Sequence, residues 1–205
     1  MKIAIATGNA HKVKELSELL NIEGVEFVSL KDLGFTGDIV EDGKTFSENA
    51  KIKAEFISKM YNIPAIADDS GLCVDALGGE PGIYSARYAS IDGQNSSDSA
   101  NIEKLLNNLN GVAKEKRTAR FICSMAFSTP DIDSIALDGI CEGYITEKVH
   151  GNGGFGYDPV FFSLDLDKTF GEASEEEKNK VSHRYNATKL LYGKLKDYVK
   201  EHNER

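Results

Sequence analysis

One short acidic stretch in the middle of the chain constrains the fold most. An apolar strand is predicted at Ala65–Ala67, and it delivers the adjacent carboxylates Asp68 and Asp69 to a predicted Ser70-Gly71 turn before the apolar run resumes at Leu72. Successive strand side chains point to opposite faces, so both acids cannot lie on one side of the strand. At least one carboxylate is therefore expected to face a cation.

The chain returns past this stretch through a glycine-rich loop. Gly78 to Gly82 form the loop, which brings Tyr84, Ser85 and Arg87 back toward the acids. Asp and Gly are also ordinary turn residues, so an acidic turn followed by a structural connection is an equal alternative. The residues alone leave both interpretations open.

The length and the net charge of the chain limit the classes of protein to which it can belong. The 205 residues predict a single domain over 1–205, and no apolar segment reaches the ~20 residues needed to span a bilayer. A net charge of −9 disfavours nucleic-acid and anionic-membrane partners. The short apolar start is no signal peptide, and the three cysteines are widely spaced, so we expect a cytoplasmic protein with reduced thiols.

The first strand and helix flank a candidate phosphate loop. A strand is predicted at Lys2–Thr7 and a helix from Ala10 to Leu20. A helix start supplies backbone N–H groups and a positive dipole end, which suit phosphate. The P-loop spacing is absent, so a common helix-opening turn is the alternative. The candidate residues are Thr7, Gly8, Asn9, Ala10, His11 and Lys12.

A lysine lies within an apolar helix stripe. Thr45 and Glu48 fit a capping box that opens a helix to about Tyr61. Lys53 falls in the middle of the stripe that faces the core. Its ammonium must reach solvent along the helix or meet an acceptor, because burying it unpaired is very costly. Both outcomes remain open from the sequence.

A second glycine loop and a basic group lie toward the C-terminus. Residues 151–156 match G-x-G-x-x-G formally, but Pro159 and the apolar residues after it predict a strand where a dinucleotide site needs a helix. The loop can instead present an aromatic face to a flat ligand, with a hairpin connection as the alternative. It displays Phe155, Gly156, Tyr157 and Asp158, and the densest basic group follows at Lys178, His183 and Arg184.

Six short motifs occur in order along the chain. They are Thr7-Gly8-Asn9…Lys12, Thr45-Phe46…Glu48-Asn49-Ala50, Ala67-Asp68-Asp69-Ser70-Gly71-Leu72, Pro81-Gly82-Ile83-Tyr84-Ser85-Ala86-Arg87-Tyr88, Gly154-Phe155-Gly156-Tyr157-Asp158-Pro159 and Ser182-His183-Arg184. Together they closely resemble the inosine/xanthosine triphosphate pyrophosphatase family over almost the whole chain. His11 departs from the pattern, since a small residue is expected before Lys12.

The resemblance implies a fold, an activity and partners. The fold would be α/β, a long mixed twisted sheet with flanking helices and two lobes around a central nucleotide-binding cleft. The activity would be metal-dependent hydrolysis of dITP, ITP and XTP to the monophosphate and pyrophosphate, cleansing the nucleotide pool. The protein would be a homodimer. Hard oxygen ligands favour Mg²⁺, with Mn²⁺ as a substitute.

The resemblance also implies roles for single residues. Glu41 and Asp69 would bind the metal, and Asp69 would also accept the proton. The phosphate-loop residues would hold the triphosphate, and Ser70, Phe155 to Asp158, Lys178, His183 and Arg184 would contact the nucleotide. Charge considerations add Lys53 and Asp68 to the catalytic group and Arg87 to the binding group. The residues alone do not decide which of Asp68 and Asp69 is the base.

Two other functions are consistent with the same motifs. One is a related hydrolase of pyrimidine or modified nucleoside triphosphates. The other is a catalytically silent nucleotide-binding protein, which would bind without turnover. A panel of nucleotides separates all three.

Overall fold

The computed structural model describes residues 1–131 and 133–203, without the side chains of residues 10, 11, 18 and 203. Contacts between Cα atoms divide the chain into two compact units. Unit 1 comprises Met1–Asp69, Cys123–Gly139 and Tyr185–Arg205, and unit 2 comprises Ser70–Ile122 and Ile140–Arg184. The prediction of one domain over 1–205 stays a prediction.

The described residues contain seven strands and five α-helices. The strands are β1 (Lys2–Ile5), β2 (Glu26–Ser29), β3 (Ala65–Val74), β4 (Thr118–Ser128), β5 (Ile135–Ile145), β6 (Phe161–Ser163) and β7 (Lys168–Thr169). The helices are α1 (Ala10–Leu19), α2 (Phe46–Tyr61), α3 (Asp98–Asn108), α4 (Glu175–Val181) and α5 (His183–Asn203), with short 3-10 helices at Asp75–Leu77, Gly82–Arg87 and Lys114–Lys116.

The strands form one mixed sheet in the order β2-β1-β3-β4-β5-β6-β7. β1 pairs in parallel with β2 and β3, whereas β6 pairs antiparallel with β5 and β7. The predicted α/β fold with a mixed sheet and flanking helices is confirmed. None of the helices among the described residues is long and apolar enough to cross a membrane.

Side-chain alternation on β1 and β3 builds the two faces of unit 1. Ile3, Ile5 and Ile66 pack in one apolar cluster with residues of α1 and α5. Their neighbours Ala4, Ala6, Ala65 and Ala67 pack in another cluster with residues of α2. Because alternate strand residues share a face, this register places Asp68 on the α1 side and Asp69 on the α2 side.

Unit 2 has an aromatic core of its own. Phe121, Phe161 and Phe170 are buried and contact one another, with ring centroids 4.6 to 6.0 Å apart. Leu105 of α3 and Leu109, which follows the last residue of that helix, are both fully buried. Aromatic pairs at these separations stabilise a core beyond the area that they bury. This core supports the loop between β5 and β6.

The predicted turn at Ser70 and Gly71 is wrong. β3 runs without interruption from Ala65 to Val74, through both acids and both turn-forming residues. β3 lies between β1 and β4 in the sheet, and pairing on both edges outweighs the turn preference of Ser and Gly. The acids therefore lie inside a strand rather than at its end.

The predicted return of the chain to β3 is confirmed for Ser85, which meets the strand at Leu72. The Leu72 N–H donates to Ser85 Oγ over 2.9 Å, and Cys73 forms a bridge with Pro81. The Ser85 hydroxyl in turn donates to the Gly82 carbonyl over 2.6 Å. The glycine loop thus closes on the strand that carries the acids.

Candidate active site

Lys53 joins two carboxylates in unit 1. It lies on α2, only 8% of its surface is exposed, and its Nζ lies 2.8 Å from Glu41 Oε2 and 3.5 Å from Asp69 Oδ1. The ammonium does not extend along the helix to solvent, because it has acceptors inside the protein. Glu41, Lys53 and Asp69 are named the acid-lysine cluster below.

Asn49 holds the acid-lysine cluster from the same helix. Its Nδ2 donates to Asp69 Oδ2 over 3.1 Å, and its Oδ1 accepts the Gly43 N–H over 2.9 Å. The amide therefore links Asp69 to the segment that carries Glu41. Asn49 has no role in the sequence-based predictions. The available signal was its place in one of the six motifs, one helical turn before Lys53.

Burial and charge act against each other in this cluster. Burial raises the pKa of Asp69, and the opposing attraction of Lys53 and Lys12 does not cancel the rise. Burial acts to lower the pKa of Lys53, but the charges of Asp69, Asp68 and Glu41 outweigh it and the pKa is raised. At neutral pH the lysine is therefore a cation beside a carboxylate that is more basic than an ordinary aspartate.

Asp68 meets a different lysine. It is fully buried, and its Oδ2 lies 2.8 Å from Lys12 Nζ, whose side chain is 15% exposed. Lys12 belongs to the first turn of α1, where its N–H donates to Asn9 Oδ1 over 3.3 Å, and the Asn9 N–H donates to Thr7 Oγ1 over 3.2 Å. Asp68 thus anchors the candidate phosphate loop rather than joining the acid-lysine cluster directly.

Glu41 and Asp69 offer oxygen ligands that fit Mg²⁺. Both carboxylates approach the same ammonium, so they converge on one position. Within residues 1–131 and 133–203, no three His, Cys, Asp or Glu side chains are grouped as a complete metal site would be. Mg²⁺ is commonly held by one or two carboxylates together with substrate phosphates and water, so two protein ligands suffice.

In unit 2 a buried ion pair shapes the aromatic loop, which is residues 155–158. Asp158 Oδ2 lies 2.7 Å from Lys178 Nζ, with both side chains less than a tenth exposed, and the same oxygen accepts the Phe155 N–H over 2.9 Å. Lys178 Nζ also lies 4.4 Å from the centroid of the Phe155 ring. A Cβ on Gly154, whose φ is +71°, would collide with Asp158.

The start of α5 supplies two further buried basic side chains. The His183 ring stacks on Phe121 with centroids 4.8 Å apart and planes 14° apart. Arg184 is 2% exposed, and its Nη2 donates to Ser70 Oγ over 3.1 Å. A solvated helix junction does not bury its basic residues, so these side chains are built into unit 2.

Comparison with known proteins agrees with this arrangement. The sequence profile of the Ham1 family matches residues 3–194. The chain belongs to the Ham1 family. It is similar to a Bacillus subtilis protein called dITP/XTP pyrophosphatase, with 52% identity over 187 residues that cover 91% of this chain and 93% of that protein. The family resemblance predicted from the six motifs is confirmed.

Solved structures of the Ham1 family share the fold. The Ham1 protein of Staphylococcus aureus is 43% identical and superposes with a TM-score of 0.87, covering 97% of this chain and all of the other. A Ham1 protein from Coxiella burnetii is 36% identical with a TM-score of 0.88, covering 96% of this chain and 99% of the other.

Arg87 and Gly8, two predicted site residues of this Ham1-family chain, belong neither to the acid-lysine cluster nor to the aromatic loop. The Arg87 guanidinium lies over the Tyr84 ring, 5.2 Å from its centroid, and in the described part of the chain it has no hydrogen bond or ion pair with residues 155–158. Gly8 is exposed. The side chains of Ala10 and His11 lie outside the described residues.

Proposed function

We propose that this Ham1-family protein hydrolyses the non-standard purine nucleoside triphosphates dITP, ITP and XTP to the monophosphate and pyrophosphate. The observation that carries the proposal is Asp69, a carboxylate of raised pKa held between Lys53 and Asn49 beside Glu41. The name of the Bacillus subtilis relative, dITP/XTP pyrophosphatase, supports the same reaction. The function expected from the sequence and the names of the relatives agree.

Asp69 accepts the proton in this mechanism. A water molecule attacks the α-phosphorus, its proton passes to the Asp69 carboxylate, and the bond from that phosphorus to the bridging oxygen breaks to release pyrophosphate. A general base works best when its pKa approaches the operating pH, and burial moves Asp69 in that direction. Asn49 fixes one carboxylate oxygen, so the other stays oriented toward the cluster.

The lysines and a metal ion held by the metal ligands would neutralise the charge of the triphosphate. Bound Mg²⁺ would be held by Glu41 and Asp69 and would supply charge neutralisation and a more acidic water. Lys53 keeps its charge at neutral pH because its pKa is raised, so it offers a cation to the phosphates. Lys12 offers a second cation next to the N-terminus of α1, where backbone N–H groups also suit phosphate.

Base selection is assigned to unit 2. Hypoxanthine and xanthine carry an acceptor oxygen at position 6, where adenine carries an amino donor. The donors of His183 and Arg184 suit the oxygen and would face a second donor in adenine, which costs ~1–3 kcal/mol for each unsatisfied group. Phe155 supplies an aromatic face beside the Lys178 cation for stacking with the base.

A homodimer and a cytoplasmic location belong to the same proposal. The family resemblance implies the dimer, and three free cysteines suit a reducing compartment. The net charge of −9 argues against a nucleic-acid partner. Sedimentation of the purified chain tests the dimer directly, since a monomer at micromolar concentration would refute it.

Product identification tests the reaction. The purified protein is incubated with Mg²⁺ and dITP, and dIMP plus pyrophosphate is distinguished from dIDP plus orthophosphate. dATP, dGTP and dUTP are assayed in parallel, with the D69N variant as the control for contaminating hydrolases. Orthophosphate release, or dUTP hydrolysed faster than dITP, would refute the proposal. Binding of dITP without turnover would indicate a silent nucleotide-binding protein instead.

A further inference from the structure

The aromatic loop is fixed by contacts from inside and outside itself. Inside, the Asp158 carboxylate accepts the Phe155 N–H, and the Asp158 N–H donates to the Phe155 carbonyl over 3.2 Å. From outside, Asp98 Oδ2 accepts the Gly156 N–H over 2.7 Å. The Tyr157 hydroxyl donates to the Ser85 carbonyl over 2.8 Å.

The contact from Asp98 acts at a glycine, where the backbone has the most conformational freedom. Gly154 and Gly156 flank Phe155 with φ of +71° and +60°, a region that glycine enters without strain and leaves as readily. A groove of about 620 Å³ opens beside the loop, lined by Ile102, Leu106 and Phe155 among others. Packing on that side is therefore incomplete, and the hydrogen bond to Gly156 restrains the loop in its place.

Asp98 itself stands on a rigid support. It is the first residue of α3, whose N-cap Ser97 accepts the Ala100 N–H over 3.2 Å. Asn101, one turn later, is buried; its Oδ1 accepts the Ala89 N–H and its Nδ2 donates to the Ala86 carbonyl. Because its helix is anchored, the Asp98 carboxylate has a fixed position and can restrain the glycine-rich loop that it binds.

Tyr157 makes the second outside contact through its hydroxyl group. Burial raises the pKa of Tyr157, and the nearby Tyr88 and Asp98 raise it further. At neutral pH the phenol is protonated, as an ordinary tyrosine is, and it donates to the Ser85 carbonyl.

We propose that Asp98 is a positioning residue for nucleobase selection: by holding the Gly156 N–H it sets the position in which Phe155 meets the base. This inference rests on the proposed function, because it assigns Asp98 to the same base-binding loop. Asp98 does not contact the reacting atoms, so its effect is expected on discrimination between bases rather than on the chemical step.

Matched variants of Asp98 test the role. D98N retains an oxygen that can accept the Gly156 N–H, whereas D98A does not, and E103Q changes another acid of α3 whose side chain is exposed. For D98A we expect the ratio of kcat/KM for dITP over dATP to fall about tenfold, through a higher KM for dITP, as loss of one charge-assisted hydrogen bond predicts. D98N is expected to lose less discrimination than D98A, because it keeps a neutral acceptor, and E103Q is expected within twofold of the unmodified protein.

A purely structural role for Asp98 predicts a different pattern. Partial unfolding would lower the rates on dITP and dATP together and leave their ratio unchanged. An unchanged ratio in a D98A protein with a native circular dichroism spectrum would therefore overturn the inference. The same holds if D98N loses as much discrimination as D98A.

A second measurement does not depend on activity. The chain contains no tryptophan, so F155W places a single tryptophan in the loop, whose emission can be excited separately from that of the tyrosines. Combined with D98A it is expected to show faster acrylamide quenching than with D98N or E103Q. Equal quenching in all three backgrounds would refute the contact. Failure of the unmodified protein to hydrolyse dITP would instead refute the proposed function, and quenching would still decide whether Asp98 holds the loop.

Discussion

Two neighbouring acids are predicted to respond in opposite directions to the same substitution. Asp68 and Asp69 are consecutive in β3, and an aspartate-to-asparagine change removes one charge at either position while keeping the shape. D69N is expected to stabilise the protein, and D68N to destabilise it. The difference follows from the environment of each carboxylate.

The buried charge of Asp69 destabilises the folded protein, and asparagine removes that charge. Its pKa in the folded protein is raised by burial, so the folded state holds the proton more tightly than the unfolded chain. Ionising the group therefore lowers the free energy of unfolding as the pH rises from the unfolded pKa through the folded pKa, and the loss is complete above the folded pKa. D69N keeps an oxygen for the Asn49 amide, and Lys53 keeps Glu41 at 2.8 Å. We expect a gain of about 0.5–2 kcal/mol, the usual range for relieving strain at a functional site.

Asp68 is the counter-charge of a lysine that is mostly withdrawn from water. The carboxylate is 0% exposed and the Lys12 side chain 15% exposed, with 2.8 Å between the charged atoms. Removing one partner of a buried pair typically costs 3–5 kcal/mol, because the other charge is left uncompensated. The small exposed part of Lys12 places D68N at the lower end, about 3 kcal/mol.

Urea unfolding at pH 7, followed by circular dichroism, measures both changes. The two variants should differ by about 4 kcal/mol in the free energy of unfolding, summing the estimates above. Lowering the pH toward 4 should reduce the difference in free energy of unfolding between D69N and the unmodified protein, since a protonated Asp69 has no buried charge. Midpoints that shift in the same direction, or D69N less stable than the unmodified protein, would refute the assignment of the two environments. D69N should also lose dITP hydrolysis, and retained turnover would move the base elsewhere.

Three further predictions rest on the same contacts. Activity should fall as the pH drops through the Asp69 pKa, with a midpoint above the ordinary value of 3.8; a rate unchanged down to that value would exclude Asp69 as the base. EDTA should abolish turnover, and added Mg²⁺ should raise the melting temperature of the unmodified protein more than that of E41Q; equal shifts would remove Glu41 from the metal site. K178M should cost about 3 kcal/mol in urea unfolding, because it leaves Asp158 buried without its cation, and a neutral result would mean that water reaches the pair.

Local patterns predicted the elements of this fold well. Thr45 accepts the Glu48 N–H at the start of α2, and Ser174 and Glu177 form the reciprocal capping box of α4. These signals act within one turn of chain, so the sequence contains all of their partners. The box at α2 is only half formed, since the Glu48 carboxylate accepts from Lys44 rather than from the cap residue.

Partners distant along the chain account for what the sequence did not reveal. Lys53 had two open outcomes because its acceptors, Glu41 and Asp69, lie 12 and 16 residues away. Asp98 meets Gly156 across 58 residues and belongs to none of the six motifs. Propensity and periodicity describe neighbours on one element, so a contact between two loops or helices is visible only when the tertiary structure brings them together.

Strand geometry also changes how the two adjacent acids function. Side by side in the sequence, Asp68 and Asp69 look like a coupled pair that shares one site. In β3 they point to opposite faces, and each has its own lysine, Lys12 or Lys53. One acid then holds the lysine of the phosphate loop, while the other is left with a raised pKa and room to accept a proton. We therefore propose that this chain, despite its net charge of −9, presents two cations to a triphosphate, since Lys12 and Lys53 each lie beside an acid on their own face of the sheet.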